Sequence, residues 1–171
     1  MVIRRETVGD RAAVDAVIAA AFSGAESNVA PPEVALVDAL RGDAAWIGSL
    51  SLVATRAQLV VGHVVCSRGW VGELAALGLG PISVRPDCQR QGVGQALMHA
   101  VIGAADAIGE PLIAVLGDTG FYGRFGFVAA ARVGVVAPDP DWGAHFQVRT
   151  LTDWPLTSGG QFRYAAPFDA L

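Results

Sequence analysis

The stretch PDCQRQGVGQALMHA, from Pro86 to Ala100, places two glycines, Gly92 and Gly94, where its apolar spacing starts a helix. Glycine weakens a helix interior by about 1 kcal/mol relative to alanine, so the placement asks for a reason. A helix start leaves several backbone N–H groups unpaired and carries partial positive charge. Glycines there let an anion approach those groups, and Arg90 adds a mobile cation beside them. The chemistry this permits is the holding of a pyrophosphate on the N-terminus of a helix over 92–107. A tight strand-to-helix turn with no ligand is the other reading of the same residues.

The phosphate motif is not the dinucleotide fingerprint, which needs glycine at the position of Leu97. Nor is it a lysine-dependent loop, because all 12 basic residues are arginine. What stands is Gln89-x-x-Gly92-x-Gly94. Other residues offer weaker chemistry. His63 and Cys66 have a ligand-like spacing, but residues three apart on a strand face opposite sides, so one metal does not readily take both. Cys88 lies near the glycine turn, yet a reactive thiol needs a lowered pKa. His99 falls on the expected helix and reads as packed or solvated. Arg124 reads either as a phosphate contact or as a structural ion pair. Tyr122 stands beside Phe121, Phe125 and Phe127, and from its neighbours alone it reads as a structural aromatic.

These residues need elements to position them. The pattern predicts a first strand over Val2–Thr7 and a helix over Asp10–Phe22, where Val14, Val17, Ile18 and Phe22 recur at helical spacing. A loop containing Pro31-Pro32 follows, then a short helix over Glu33–Arg41. Ser49–Ser67 reads as two strands joined near Arg56–Gln58, and Pro81–Arg85 as a strand leading into the glycine turn. From Gly92, the residues Val93, Leu97, Val101, Ala104 and Ile108 share one helical face. Leu112–Leu116 is a buried strand by its continuous apolar character. Gly117–Phe127 is a short helix between glycines, His145–Leu151 a late strand, and the tail carries scattered aromatics. No repeat or linker interrupts the pattern, so 1–171 reads as a single domain of mixed α/β (α+β) class around a central sheet.

The totals agree. A chain of 171 residues, 53% of them apolar, is long enough for a real core. A net charge of −4 argues against a nucleic-acid or anionic-membrane surface. Two cysteines do not staple a secreted fold, so a reduced cytoplasmic setting is expected. Charges within the N-terminal alanine-rich stretch mark it as an amphipathic helix rather than a signal peptide. The uncharged run from Gln91 to Ala105 is too short for a membrane span of about 20 residues.

With its surroundings, the glycine turn resembles the signature of the GNAT N-acetyltransferase superfamily, V-x-P-x-x-(Q/R)-x-x-G-x-(G/A). Val84, Pro86, Gln89, Gly92 and Gly94 stand in its places. Phe121-Tyr122-Gly123-Arg124-Phe125-Gly126-Phe127 resembles the family's aromatic-Tyr-x-x-x-Gly-Phe segment. The N-terminal strand and helix and the 52–67 hairpin are similar in a looser way. LGLGPISVRPDCQRQGVG with VLGDTGFYGRFGF resembles a bacterial, mostly uncharacterised subgroup.

The resemblance implies a GNAT-like fold, a mixed and mostly antiparallel sheet flanked by helices, with strands splayed at a coenzyme cleft. It implies acetyl-CoA as co-substrate, an amine as acceptor and no metal. It gives Ile82, Ser83 and Val84 as residues whose backbone meets the pantetheine arm. It gives Arg90, Gln91, Gly92, Val93, Gly94 and Gln95 as the pyrophosphate cradle, and Tyr122 as the acid that protonates the leaving thiolate. The amine would attack the thioester directly through a tetrahedral intermediate, stabilised by a backbone N–H near Ile82–Val84. The base is left open among Glu73, Asp118 and a water chain, with Glu26 in a loop that could border the acceptor site. An acyl-CoA-binding regulatory module without turnover is the alternative. Many relatives dimerise, so a homodimer is among the expected partners.

Overall fold

Apolar β-branched runs form the strands, and helical apolar spacing forms the helices packed on them. The computed structural model describes residues 1–23, 30–155 and 158–170. In chain order the elements are β1 (Val2–Arg5), α1 (Arg11–Phe22), α2 (Pro32–Gly42), β2 (Ser51–Arg56), β3 (Leu59–Val71), β4 (Leu74–Val84), α3 (Val93–Ala107), β5 (Leu112–Leu116), α4 (Thr119–Tyr122), β6 (Val128–Ala129), β7 (Val135–Val136), β8 (Phe146–Thr150) and β9 (Gly160–Arg163). Among the described residues the main sheet runs β1-β2-β3-β4-β5-β8-β6. β9 pairs the end of β3 on one side and β7 on the other. Neighbours in the main sheet are antiparallel except β4 and β5, which are parallel. This is the expected mixed sheet flanked by helices.

Two layers cover the sheet. On one face α3 buries Val93, Leu97, Met98 and Val101 against Val64, Cys66, Leu77 and Leu79. On the other, α1 and α2 bury Val14, Ile18 and Val37 against Val53 and Val65. Strand alternation therefore sends His63 and Cys66 to opposite layers. The face expected for α3 holds at its start but not at its end. Ile108 follows the last helical residue and is 50% exposed, because the helix stops at Ala107.

The strands next to the glycine turn are longer than the sequence suggests. β3 continues beyond Ser67 to Val71, and β4 begins at Leu74 rather than Pro81. Gly69, Gly78 and Gly80 lie inside the strands, and of the glycines over 69–80 Gly72 alone lies in the turn between them. At Gly78 the ring of Tyr164 lies directly on the backbone, and a Cβ there would sit 2.6 Å from Tyr164 Cδ1. The tail aromatics that looked scattered thus pack on the sheet, with Phe162 and Tyr164 4.8 Å apart between ring centroids.

A polar cluster is sealed under α1 and α2. Arg41 Nη2 donates to Glu6 at 2.7 Å, and Arg41 Nη1 to Asp15 at 3.0 Å. Ser51 Oγ donates to Glu6 and lies 3.0 Å from His63 Nε2. A serine, a histidine and a carboxylate in contact suggest a nucleophile with its base. However, Ser51 and His63 are both 0% exposed, so no substrate reaches them. Burial alone would raise Glu6, but hydrogen bonds from His63 and Ser51 and the charge of Arg41 bring its pKa down to about 2. Burial lowers the pKa of His63, outweighing the pull of Glu6.

Candidate active site

β4 and β5 pair only at Leu77–Ile113 and Gly78–Ala114. Beyond that point they part. Val64 pairs with Ile82 and Cys66 with Leu79, so one residue on β3, Val65, opposes two on β4, Gly80 and Pro81. This bulge bends β4 away from β5. It also explains the uneven spacing of the apolar residues. Leu77 and Leu79, then Ile82 and Val84, all face the α3 layer although 79 and 82 are three apart. The Gly80–Pro81 peptide in the bulge is cis. The gap opens a cleft of about 1460 Å³, with Leu79, Pro81 and Ile82 on one side and Val115, Leu116 and Gly117 on the other.

The glycine turn lies just outside this cleft. Gly92 has φ of +83° and precedes α3, a conformation that favours glycine. Arg90 also has positive φ, +56°. The turn is braced from within. Gln89 Nε2 donates to the Val84 carbonyl at 3.1 Å, and Gln91 Nε2 to the Asp87 carbonyl at 2.8 Å. Arg56 donates to Gln91 Oε1 at 2.6 Å, so the Gln91 side chain is a brace. The first bond of the helix start runs from the Ala96 N–H to the Gly92 carbonyl at 3.0 Å. The N–H groups of Val93, Gly94 and Gln95 precede it, and no side chain caps them.

A Cβ on Gly92 would meet nothing within 4 Å. On Gly94 it would meet Val84 Cγ2 at 3.6 Å and Phe121 Cζ at 3.8 Å, which are ordinary contacts. Packing inside the chain therefore does not call for glycine at 94, whereas close approach by an outside group does. Arg90 is exposed and forms no ion pair among the described residues. The donors, the open space and the free guanidinium together suit a pyrophosphate. Phe121 touches this turn on one side and lines the cleft on the other.

Tyr122 stands at the end of α4, whose first turn is closed by Asp118 accepting from the Phe121 N–H at 2.6 Å. Its ring meets Phe121 edge-on at 5.0 Å and Phe127 at 5.7 Å. It lies over Gly117, where a Cβ would sit 2.5 Å from Tyr122 Cε2. Tyr122 is 8% exposed and lines the cleft. Among the described residues its hydroxyl has no hydrogen-bond partner. Burial, with smaller contributions from Cys66 and Asp118, pushes its pKa up to about 12. The phenol thus stays protonated across the neutral range and has a free donor.

The other sequence candidates separate. Glu73 sits exposed in the β3–β4 turn, outside the cleft lining, which removes it as a base. Asp118 lines the cleft while serving as the cap of α4. Glu26 lies outside the described residues. His99 packs edge-on to Phe125 at 5.3 Å. Arg124 stacks over Phe121 at 5.1 Å rather than pairing with a carboxylate. Cys66 and Cys88 are buried and free, and burial pushes the Cys66 thiol up, away from reactivity. Among the described residues no group of three or more His, Cys, Asp or Glu stands close enough to share a metal.

Sequence reasoning missed Tyr164. It lines the same cleft, and burial, with a smaller push from Tyr122, raises its pKa. The only signal in the sequence was an unexplained aromatic cluster in the tail.

Comparison with known proteins places this architecture. Residues 48–129 match the acetyltransferase (GNAT) domain family. The N-acetyltransferase YhbS of Escherichia coli K12 is 33% identical over 156 residues, covering 90% of this chain and 89% of that protein. YjhQ of the same organism is 33% identical over 143 residues, covering 79% of each. The crystal structure of Escherichia coli YhbS in complex with CoA superimposes with a TM-score of 0.88 at 31% identity, covering 98% of this chain and 91% of that one. A Brucella melitensis GNAT family acetyltransferase in complex with acetyl-CoA gives 0.79 at 34% identity, covering 98% and 97%. The chain belongs to the GNAT superfamily. As a member it is an acyl-CoA-dependent N-acetyltransferase.

Proposed function

We propose that the chain transfers an acetyl group from acetyl-CoA to a primary amine, by direct attack in the cleft between β4 and β5. The observation that carries this reading is the Tyr122 hydroxyl, without a hydrogen-bond partner among the described residues, in the opening of the two strands, next to a helix start whose first N–H groups no side chain caps. Acetyl-CoA supplies the acetyl group as an activated thioester. The N–H groups of Val93, Gly94 and Gln95, with Gln91, Gly92 and the Arg90 guanidinium, would hold its pyrophosphate. The β5-facing edge of β4 at Ile82, Ser83 and Val84 would pair with the pantetheine arm. A backbone N–H on that edge would stabilise the oxyanion of the tetrahedral intermediate. Tyr122 would donate to the departing sulfur. With Asp118 already engaged as a cap, a water chain fits the deprotonation of the amine better than any side chain of the cleft. The two buried free thiols fit a reduced cytoplasmic setting. Among the described residues no helix is long and apolar enough to cross a membrane.

The test is ligand-dependent stability followed by turnover. A ligand that binds only the native state adds about 2.7 kcal/mol at one hundred times its Kd. Acetyl-CoA should therefore raise the melting temperature while NAD leaves it unmoved, and an amine should accelerate release of free CoA thiol. An equal response to both ligands, or acetyl-CoA binding with no amine-dependent thiol release across a broad amine panel, overturns the reading.

A further inference from the structure

The cleft extends well past the reaction centre. Its volume of about 1460 Å³ exceeds the few hundred to 1,000 Å³ usual for a single small-ligand site. The glycine turn and Phe121 border it from the α3 side. The remainder is walled from the opposite side of the sheet, by α2, the 138–142 loop and the tail after β9. That wall is aromatic. Trp70, Trp142, Tyr164 and Phe168 line it, with Tyr164 4.7 Å from Phe168 and 6.4 Å from Trp142 between ring centroids.

Its charge is one-sided. Among the described residues, five carboxylates line the cleft against two guanidinium groups, Arg68 and Arg163. Arg68 is committed to a carboxylate, and Arg163 is drawn against a ring at the rim. Arg68 makes two 2.6 Å bonds to Glu110, and Arg163 lies 5.2 Å over the ring of Trp70. The carboxylates of Glu33 and Asp169 lie on this side, and Tyr122, whose hydroxyl has no hydrogen-bond partner among the described residues, lines the same space. Negative charge over aromatic faces attracts a cation with an apolar body, and it repels a carboxylate.

We propose that the acceptor is a small primary amine carried on a flat apolar or aromatic body, with no carboxylate beside the amine. It would enter from the α2 and tail side, with its ring among Trp70, Trp142, Tyr164 and Phe168 and its nitrogen towards Tyr122. This rests on the transferase reading above. It separates aryl-alkyl amines from α-amino acids, which carry a carboxylate next to the nitrogen, and from short alkyl amines, which leave the aromatic wall unfilled.

Matched amines test it on the full chain with saturating acetyl-CoA. 2-Phenylethylamine is compared with phenylalanine, which adds only the carboxylate, and with ethylamine, which removes the ring. The expected kcat/KM for 2-phenylethylamine is at least about tenfold above either. A Trp142→Ala variant should raise KM for 2-phenylethylamine severalfold, while the melting shift given by acetyl-CoA stays as in the parent. Phenylalanine or ethylamine within twofold of 2-phenylethylamine overturns the proposal, as does a preference for the amino terminus of trialanine. Where no amine turns over, binding is read by tryptophan fluorescence with CoA present, and 2-phenylethylamine binding no tighter than phenylalanine overturns it equally. Failure of the transferase reading looks different: acetyl-CoA then gives no melting shift, or binds without any amine releasing thiol, whereas here only the ranking of the amines fails.

Discussion

Tyr122 has little freedom of its own. Its ring is held between Gly117 and the Phe121 and Phe127 rings, so only the hydroxyl distinguishes it chemically from a phenylalanine at the same place. Tyr122→Phe keeps the packing and removes the donor. Turnover should fall at least tenfold, about 1.4 kcal/mol of transition-state stabilisation, with acetyl-CoA affinity near the parent value. Calorimetry and steady-state kinetics on the one variant read both quantities. A lowered melting temperature with kcat preserved would assign the residue a structural role instead. The phenol's pKa near 12 adds a sign to the pH profile. Loss of the Tyr122 proton cannot cause a falling limb below about pH 11, so an earlier fall in kcat belongs to another group. From its neighbours alone the segment FYGRFGF reads as packing, and Tyr122 stood out only through the family resemblance of that segment. A cleft-lining tyrosine whose hydroxyl has no partner among the described residues exists only once β4, β5 and α4 are assembled.

The elements around the cleft divide by how local their signals are. The α3 start was legible because everything it needs lies within a few residues: Gly92 for positive φ, Gln89 to close the loop on Val84, and the apolar stripe from Val93. The opening between β4 and β5 was expected only through family resemblance, since it depends on a bulge against β3 and on pairing that stops after Gly78. The full length of β3 and β4 was hidden for a related reason. A glycine that accepts a ring from elsewhere in the chain looks the same in sequence as one that turns. Gly78→Ala tests that account. Its methyl would meet the Tyr164 ring at 2.6 Å, on a strand where the backbone does not yield freely. Overpacking of this kind costs about 1–3 kcal/mol. The melting temperature should drop, and KM for the acceptor should rise more than KM for acetyl-CoA, because the tail wall moves and the glycine turn does not. An equal rise in both KM values would mean that the two ends of the cleft are not separable.

At the scale of the whole molecule, the sealed polar cluster ties stability to pH. The pKa of Glu6 is depressed from 4.5 to about 2, so its contribution is full above about pH 4.5 and is lost as pH falls towards 2. The bonds from Arg4 hold Asp10 low in the same sense. His63 has a lowered pKa, so below its ordinary 6.5 the unfolded chain takes up a proton that the folded one resists. Stability should be level above about pH 7, decline gently between 6.5 and 4.5, then steeply. Calorimetric melting across that range checks the assignment: His63→Gln should flatten the gentle part and, by removing its bond to Glu6, also soften the steep one. The pairing of β9 with β3 has a consequence of another kind, in the order of assembly. The nucleotide-facing end of the cleft comes from one stretch of chain, Ile82 to Tyr122, whose contacts are close in sequence. The aromatic wall needs Arg163 and Phe162 to find Trp70 and Val71, across nearly the whole intervening chain. Closing long loops is entropically slower than closing short ones. During refolding from denaturant, the ability to bind CoA should therefore return before the fluorescence signature of the Trp70–Trp142 wall. Stopped-flow traces for the two signals that rise together would show that both ends of the cleft form in one step.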